Sequence, residues 1–215
     1  MAAEYGEHGM DMAFEEAGEP VTEPVTKLGG QPVWLEEPAW PLSAETGGPM
    51  RFIGQFRLPG EQVRLGYLFM TEEDDGWMDG TYFPDGGENA FIVQPGGRLA
   101  EFYRVAAEAT GPTHGPDHRV ALSPHTPEPP DPDDVAVLES LGGVAEPTYG
   151  LDSRIGGRPR WLQLDESPQE EGDWAFAVQL DSCGLPFPVN FGDAGVGYCF
   201  FEEKTGEGRF SWQCC

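Results

Sequence analysis

Apolar and polar residues alternate most cleanly over 51–58, where Phe52, Gly54, Phe56 and Leu58 stand opposite Arg51, Ile53, Gln55 and Arg57. A period of two predicts a strand. Pro59-Gly60 breaks the run, and alternation resumes over 64–70 with Leu65, Tyr67 and Phe69 on one face. Two such runs joined by a turn predict a hairpin. A polar, bent stretch precedes the apolar run 90–94, whereas 100–105 fits strand or helix equally. Farther along, Trp174, Phe176, Val178 and Leu180 alternate with Ala175, Ala177 and Gln179, and 196–201 and 209–214 read as further strands. One stretch has helical spacing: Val135, Leu138 and Leu141, behind an acidic first turn and before Gly142. Acids suit a helix N-terminus and glycine its end, so 133–141 is predicted to be a short helix. The expected fold class is α+β, mainly antiparallel β.

The pattern is written twice. Lys27-Leu28-Gly29-Gly30-Gln31-Pro32-Val33-Trp34-Leu35 returns 127 residues later as Arg154-Ile155-Gly156-Gly157-Arg158-Pro159-Arg160-Trp161-Leu162. Phe52 to Phe56 answers to Phe176 to Leu180, an offset of 124, and Gly66-Tyr67-Leu68-Phe69 to Gly197-Tyr198-Cys199-Phe200, an offset of 131. A period this long excludes a solenoid or propeller and predicts two similar halves. The expected arrangement is a pseudo-two-fold pairing that shares one core. Boundaries follow from composition: an acidic arm over 1–24, a first repeat over 25–110, a linker over 111–132, and the short helix with the second repeat over 133–215. The linker holds seven prolines, which favour extended chain.

Charge narrows the partners. Twelve Lys and Arg face 38 Asp and Glu, a net charge of −26. Such a field repels phosphate backbones and anionic lipid and attracts cationic proteins, so no direct nucleic-acid or membrane partner is expected. No apolar run reaches the ~18 residues of a membrane span. Residues 1–23 carry seven acids and no Lys or Arg, the reverse of a secretory n-region. The four cysteines, Cys183, Cys199, Cys214 and Cys215, form no CxxC pair. A cytoplasmic location is expected.

Catalytic chemistry finds no constellation. His114, His118 and His125 lie in a Gly/Pro segment without a second ligand pair and are expected as a solvated loop rather than a metal site. No Gly-x-Ser-x-Gly elbow is present, and the glycines of 192–197 are out of order for a dinucleotide loop; Asp193 is expected to cap local N–H groups there. No catalytic residue, cofactor or metal is therefore predicted, and the chain is read as a non-enzyme. What remains is surface. Residues 72–88 carry seven acids and no base, interleaved with Trp77, Tyr82 and Phe83. Acids around aromatics suit recognition of a basic protein, which makes Asp74, Asp75, Trp77, Asp79, Tyr82 and Asp85 the candidate partner-binding set. The alternative is a hairpin tip with its aromatics tucked inward. A second acidic stretch, 165–173, is expected to be merely solvated.

Lys27-Leu28-Gly29-Gly30-x-Pro32, the Phe-x-x-Gln strand, Asn190-Phe191-Gly192-Asp193-Ala194-Gly195 before Tyr198-x-Phe200, and Phe210-Ser211-Trp212-Gln213-Cys214 together resemble the YwqG-like family over residues 25–215. That is a bacterial family of domains of unknown function built from two similar halves. Its members recur beside polymorphic toxins and type VI secretion effectors, where they look like immunity proteins. The resemblance implies a protein that binds and neutralises a cognate basic toxin, such as a nuclease, without catalysis. The alternative it implies is a chaperone for a basic cellular protein such as a ribosomal protein. A similar duplicated domain in the programmed-cell-death-two proteins does that work.

Overall fold

A computed structural model describes residues 5–72, 79–129, 132 and 150–215. Twelve strands lie among them. In the first half these are β1 (Met10–Glu16), β2 (Lys27–Leu28), β3 (Trp40–Leu42), β4 (Arg51–Leu58), β5 (Arg64–Met70), β6 (Asn89–Gln94) and β7 (Arg104–Ala106). They are followed by β8 (His118–Pro124), β9 (Arg154–Ile155), β10 (Trp174–Asp181), β11 (Val196–Glu202) and β12 (Gly208–Gln213). Ten form one antiparallel sheet in the order β12-β11-β10-β9-β1-β8-β2-β4-β5-β6, and β3 pairs with β7 beside it.

The α+β expectation is corrected. The described residues are nearly all β, 37% strand with essentially no helix, and the large sheet curls into a near-closed barrel. The predicted helix 133–141 lies outside the described residues. The rest of the apolar pattern has period two, and β4, β5, β6, β11 and β12 are buried on both faces. A sheet with two apolar faces needs both covered; this one curls around one face, and outer clusters cover the other.

The inner face holds one core drawn from both halves, including Leu28, Ile53, Phe56 and Leu68 with Ile155, Val178, Leu180 and Phe201. Two outer clusters cover the opposite faces: Trp40, Phe52, Tyr67 and Phe69 on the first half, and Val196, Tyr198 and Phe200 with Trp161 on the second. The barrel closes where β6 meets β12. Gly208 has no room for a Cβ because the Phe91 carbonyl occupies its place. Arg98 N donates to Thr205 O at 2.8 Å, and the Arg98 guanidinium pairs with Glu207.

One detail departs from simple alternation. Phe52 packs in the outer cluster, whereas Phe56 and Leu58 point inward. The register of β4 on β5 shifts between Phe52 and Gly54, and that of β10 on β11 shifts between Phe176 and Val178. A bulge adds one residue and changes which face the later side chains reach.

The halves share their buried hydrogen bonds. Gln55 Oε1 accepts from Val33 N and Gln179 Oε1 from Arg160 N, each at 2.8 Å. Gln55 Nε2 donates to Val25 O at 2.8 Å, and Gln179 Nε2 to Asp152 O at 3.0 Å. The Tyr67 hydroxyl donates to Val33 O and the Tyr198 hydroxyl to Arg160 O, both at 2.8 Å. Trp34 stacks on Phe69 with centroids 6.0 Å apart, and Trp161 on Phe200 at 5.8 Å. Gly29 and Gly30 have φ of 68° and 59°, and Gly156 and Gly157 have 69° and 76°, a left-handed pair that glycine adopts without steric cost.

The leading strands are exchanged. β1 precedes the first Gly-Gly element yet pairs with β9 of the second half, while β8 pairs with β2 of the first. β1 and β8 then pair with each other at the centre of the sheet. Residues 118–124, inside the segment expected as a linker, are thus the middle of the fold.

Candidate functional site

The site begins at Asn89, a fully buried side chain at the start of β6. Its Nδ2 donates to Thr81 O at 2.8 Å and Phe83 O at 2.9 Å, which folds the preceding loop back on itself. Thr81 is buried and its Oγ1 accepts from Trp212 Nε1 at 3.2 Å, so the loop from the first half is fastened onto the second. Held this way, Tyr82 and Phe83 stay 41% and 48% exposed, large values for aromatic rings. Their rings pack together at 4.0 Å, and Tyr82 meets Trp212 edge-on at 5.7 Å.

The facing wall is 165–170. Gln213 fixes its base: Oε1 accepts from Gln163 N at 3.0 Å, and Nε2 donates to Leu164 O at 2.7 Å. Asp165 Oδ1 accepts from Ser167 N at 2.8 Å, and the Ser167 side chain first, then this backbone bond, hold the carboxyl below its ordinary value. Trp174 Nε1 donates to Glu170 O at 3.2 Å. Between the walls lies a groove of about 760 Å³ lined by Tyr82, Phe83 and Pro84 on one side and by Asp165, Glu166 and Glu170 on the other. No described lining residue is Lys or Arg. Arg209 lies beneath, tied to Glu207 at 2.5 Å and to Glu170 at 3.4 Å, with its guanidinium over Trp174 and Phe102.

Of the residues expected from sequence, Asp79, Tyr82 and Asp85 are exposed on this loop, and only Tyr82 lines the groove. Asp74, Asp75 and Trp77 lie outside the described residues. The sequence set leaves out Phe83, although it stands among the interleaved aromatics, and misses Pro84 and the whole second wall, because 165–173 reads as an ordinary solvated run. The usable signal is in the repeat: Trp40, buried with its Nε1 donating to Met50 O at 2.8 Å, has Ser167 as its counterpart 127 residues on. Where the first half is plugged by an indole, the second half is open.

The other candidate groups do not converge. The histidines, expected in a solvated loop, are largely buried: His114 and His118 both pack on Phe187, and His125 lies against Asp11. His114 stacks on Phe187 at 4.7 Å, and burial, then the Arg51 charge, push its pKa down to about 4. His118 Nδ1 lies 3.0 Å from Pro116 O, and His125 Nδ1 lies 2.8 Å from Asp11. Burial raises the Cys199 thiol, and no disulfide joins the four cysteines. The turn before β11 is capped by Asn190, whose Oδ1 accepts from Gly192 N at 3.0 Å, rather than by the Asp193 side chain expected there. Among the described residues, no three His, Cys, Asp or Glu side chains are grouped to hold a metal, and no helix is long and apolar enough to cross a membrane. No protein-family model matches the chain, and no curated protein matches it.

Proposed function

We propose that this is a cytoplasmic immunity protein that binds a cationic antibacterial toxin, such as a nuclease, and neutralises it stoichiometrically without chemistry. The observation that carries the reading is that the acidic stretch 165–170 faces two exposed, mutually packed aromatic rings, Tyr82 and Phe83, across one groove. A groove with three carboxylates and no described base favours cationic side chains, and flat aromatic faces add stacking with guanidinium groups. The net charge of −26 speeds encounter with a basic protein at long range and disfavours nucleic acid. A nuclease presents a cationic cleft to its substrate. Carboxylates and aromatic rings that engage the cationic side chains around that cleft exclude the substrate by charge and by volume.

The test is co-expression with the toxin encoded beside its gene. A complex tighter than micromolar and rescue of toxin-expressing cells are expected. The double variant Tyr82→Ser/Phe83→Ser should weaken binding at least tenfold, the size of a modest aromatic hot spot. A complex no tighter than micromolar, or no rescue, overturns the reading. Recovery of a ribosomal protein that is bound and then released would favour a chaperone instead.

A further inference from the structure

The groove has a counterpart in the first half. Glu36, Glu37, Pro38 and Ala39 occupy the places that Gln163, Leu164, Asp165 and Glu166 take 127 residues later. Gln94 supports this segment as Gln213 supports the other: its Oε1 accepts from Glu36 N at 3.1 Å, and its Nε2 donates to Glu37 O at 2.9 Å. Ile92 on β6 stands where Ser211 stands on β12. A space of about 460 Å³ results, floored by Ile92 and Val93, with Glu36 and Glu37 on one wall and Leu99 and Val105 on the other. Leu99 and Val105 are 37% and 38% exposed, so this half too presents apolar side chains beside carboxylates. No described residue lining this space is Lys or Arg either.

The two grooves share the barrel seam. Phe91 faces Gly208, while Gly97 and Arg98 face Gly206 and Thr205, so β6 and β12 run antiparallel where they meet. Ile92 and Ser211 therefore lie toward opposite ends of the seam, on the order of 13 Å apart along it. One extended polypeptide can span that distance.

We infer that the first-half groove is a second docking site, occupied by a second basic, apolar-anchored segment of the same cationic partner, so that one partner chain is held at both ends of the seam. This rests on the reading of the Tyr82 groove as a site for a cationic protein. Charge complementarity selects the occupant: a second copy of this chain, at −26, would be repelled from a groove walled by Glu36 and Glu37. Leucine-like side chains meet Ile92, Leu99 and Val105, and Lys or Arg meets the two glutamates. Joining two weak segments raises the effective concentration of the second and tightens binding without any new contact.

The probe is a short synthetic peptide of alternating arginine and leucine, and a tandem of two copies joined by a Gly-Ser spacer of about eight residues, long enough to span the grooves. Both are titrated calorimetrically into the full chain. Two short peptides per chain are expected, falling to one in Leu99→Ser/Val105→Ser and to one in Tyr82→Ser/Phe83→Ser. The tandem peptide should bind one per chain, at least tenfold tighter than the short one, and lose that gain in either double variant. All four side chains are exposed, and an unchanged thermal midpoint establishes that each variant is folded. One short peptide per chain, lost with Tyr82→Ser/Phe83→Ser and indifferent to Leu99→Ser/Val105→Ser, overturns the second site and leaves the first. No binding, or binding indifferent to both double variants, overturns both.

Discussion

The two halves make the same buried hydrogen bonds and wear different covers. In the first half Trp40 fills the outer face, and β3 with β7 forms a small sheet over it. In the second half the matching residue is Ser167, and residues 167–169 form no strand. The connections differ as well: β5 and β6 are joined by the long segment 71–88, β11 and β12 by the short turn 203–207. Within the long segment, Thr81 is bonded to Trp212 across the seam, and 82–84 wall the open side. The lesson is that the repeated glutamine and tyrosine network holds the barrel, which leaves the covers free to diverge into a plugged face and a recessed one.

The largest effect expected from breaking this comparison is at the basic position shared by both halves. Lys27 is buried and paired with Asp117, and burial lowers its pKa against the pull of that carboxylate. Lys27→Ala leaves a buried carboxylate without its partner and should cost ~3–5 kcal/mol in urea unfolding, whereas Lys27→Met/Asp117→Leu should recover most of the loss. Next, Gln55→Leu and Gln179→Leu each strand several backbone groups and should cost ~3 kcal/mol apiece. Losses differing by more than ~1.5 kcal/mol would mean that the shared network is not shared in energy.

A smaller effect belongs to His114, in the first half alone. Its folded pKa is about 4, against an ordinary 6.5, so between these values the unfolded chain takes up a proton that the folded chain refuses. Its contribution is complete above pH 6.5 and falls as pH drops toward 4. His114→Phe should flatten that part of the stability profile relative to the unsubstituted chain, and an unchanged slope would contradict the assignment. The smallest stability effect should come from Ser167→Trp, which restores an indole to the recessed half. A change within ~1 kcal/mol is expected by thermal unfolding, together with loss of partner or peptide binding at the Tyr82 groove. Retained binding would show that the groove does not depend on the missing indole.

Much of the fold is legible in the sequence because its signals are local. Period-two runs mark β4, β5, β10 and β11, and the doubled Gly-Gly-x-Pro-x-Trp marks the turns that brace them. The bulges at Phe52/Gly54 and Phe176/Val178 are not legible, since a bulge changes face without changing residue type. Nor is the place of β8: Pro124 and its neighbouring prolines read as linker, although His118 to Pro124 pair with β1, and His118 and Arg119 pair with β2 as well. The groove was half visible. Tyr82 stands out by its acidic setting, but Asp165 and Glu166 acquire meaning only when the curl of the sheet brings β12 beside β6. That approach depends on Gly208 and on Trp212 reaching Thr81, long-range contacts with no local signature.

The exchange of β1 and β8 has a further consequence for how the polypeptide comes into being. Met10 and Asp11 rest on Ile155 and Arg154, so the opening strand finds that neighbour only after some 140 residues more have been made. Contacts so remote in sequence slow folding, and no half can be excised as a self-sufficient piece. The two repeats are lobes of one clasp, each completed by the other's first strand.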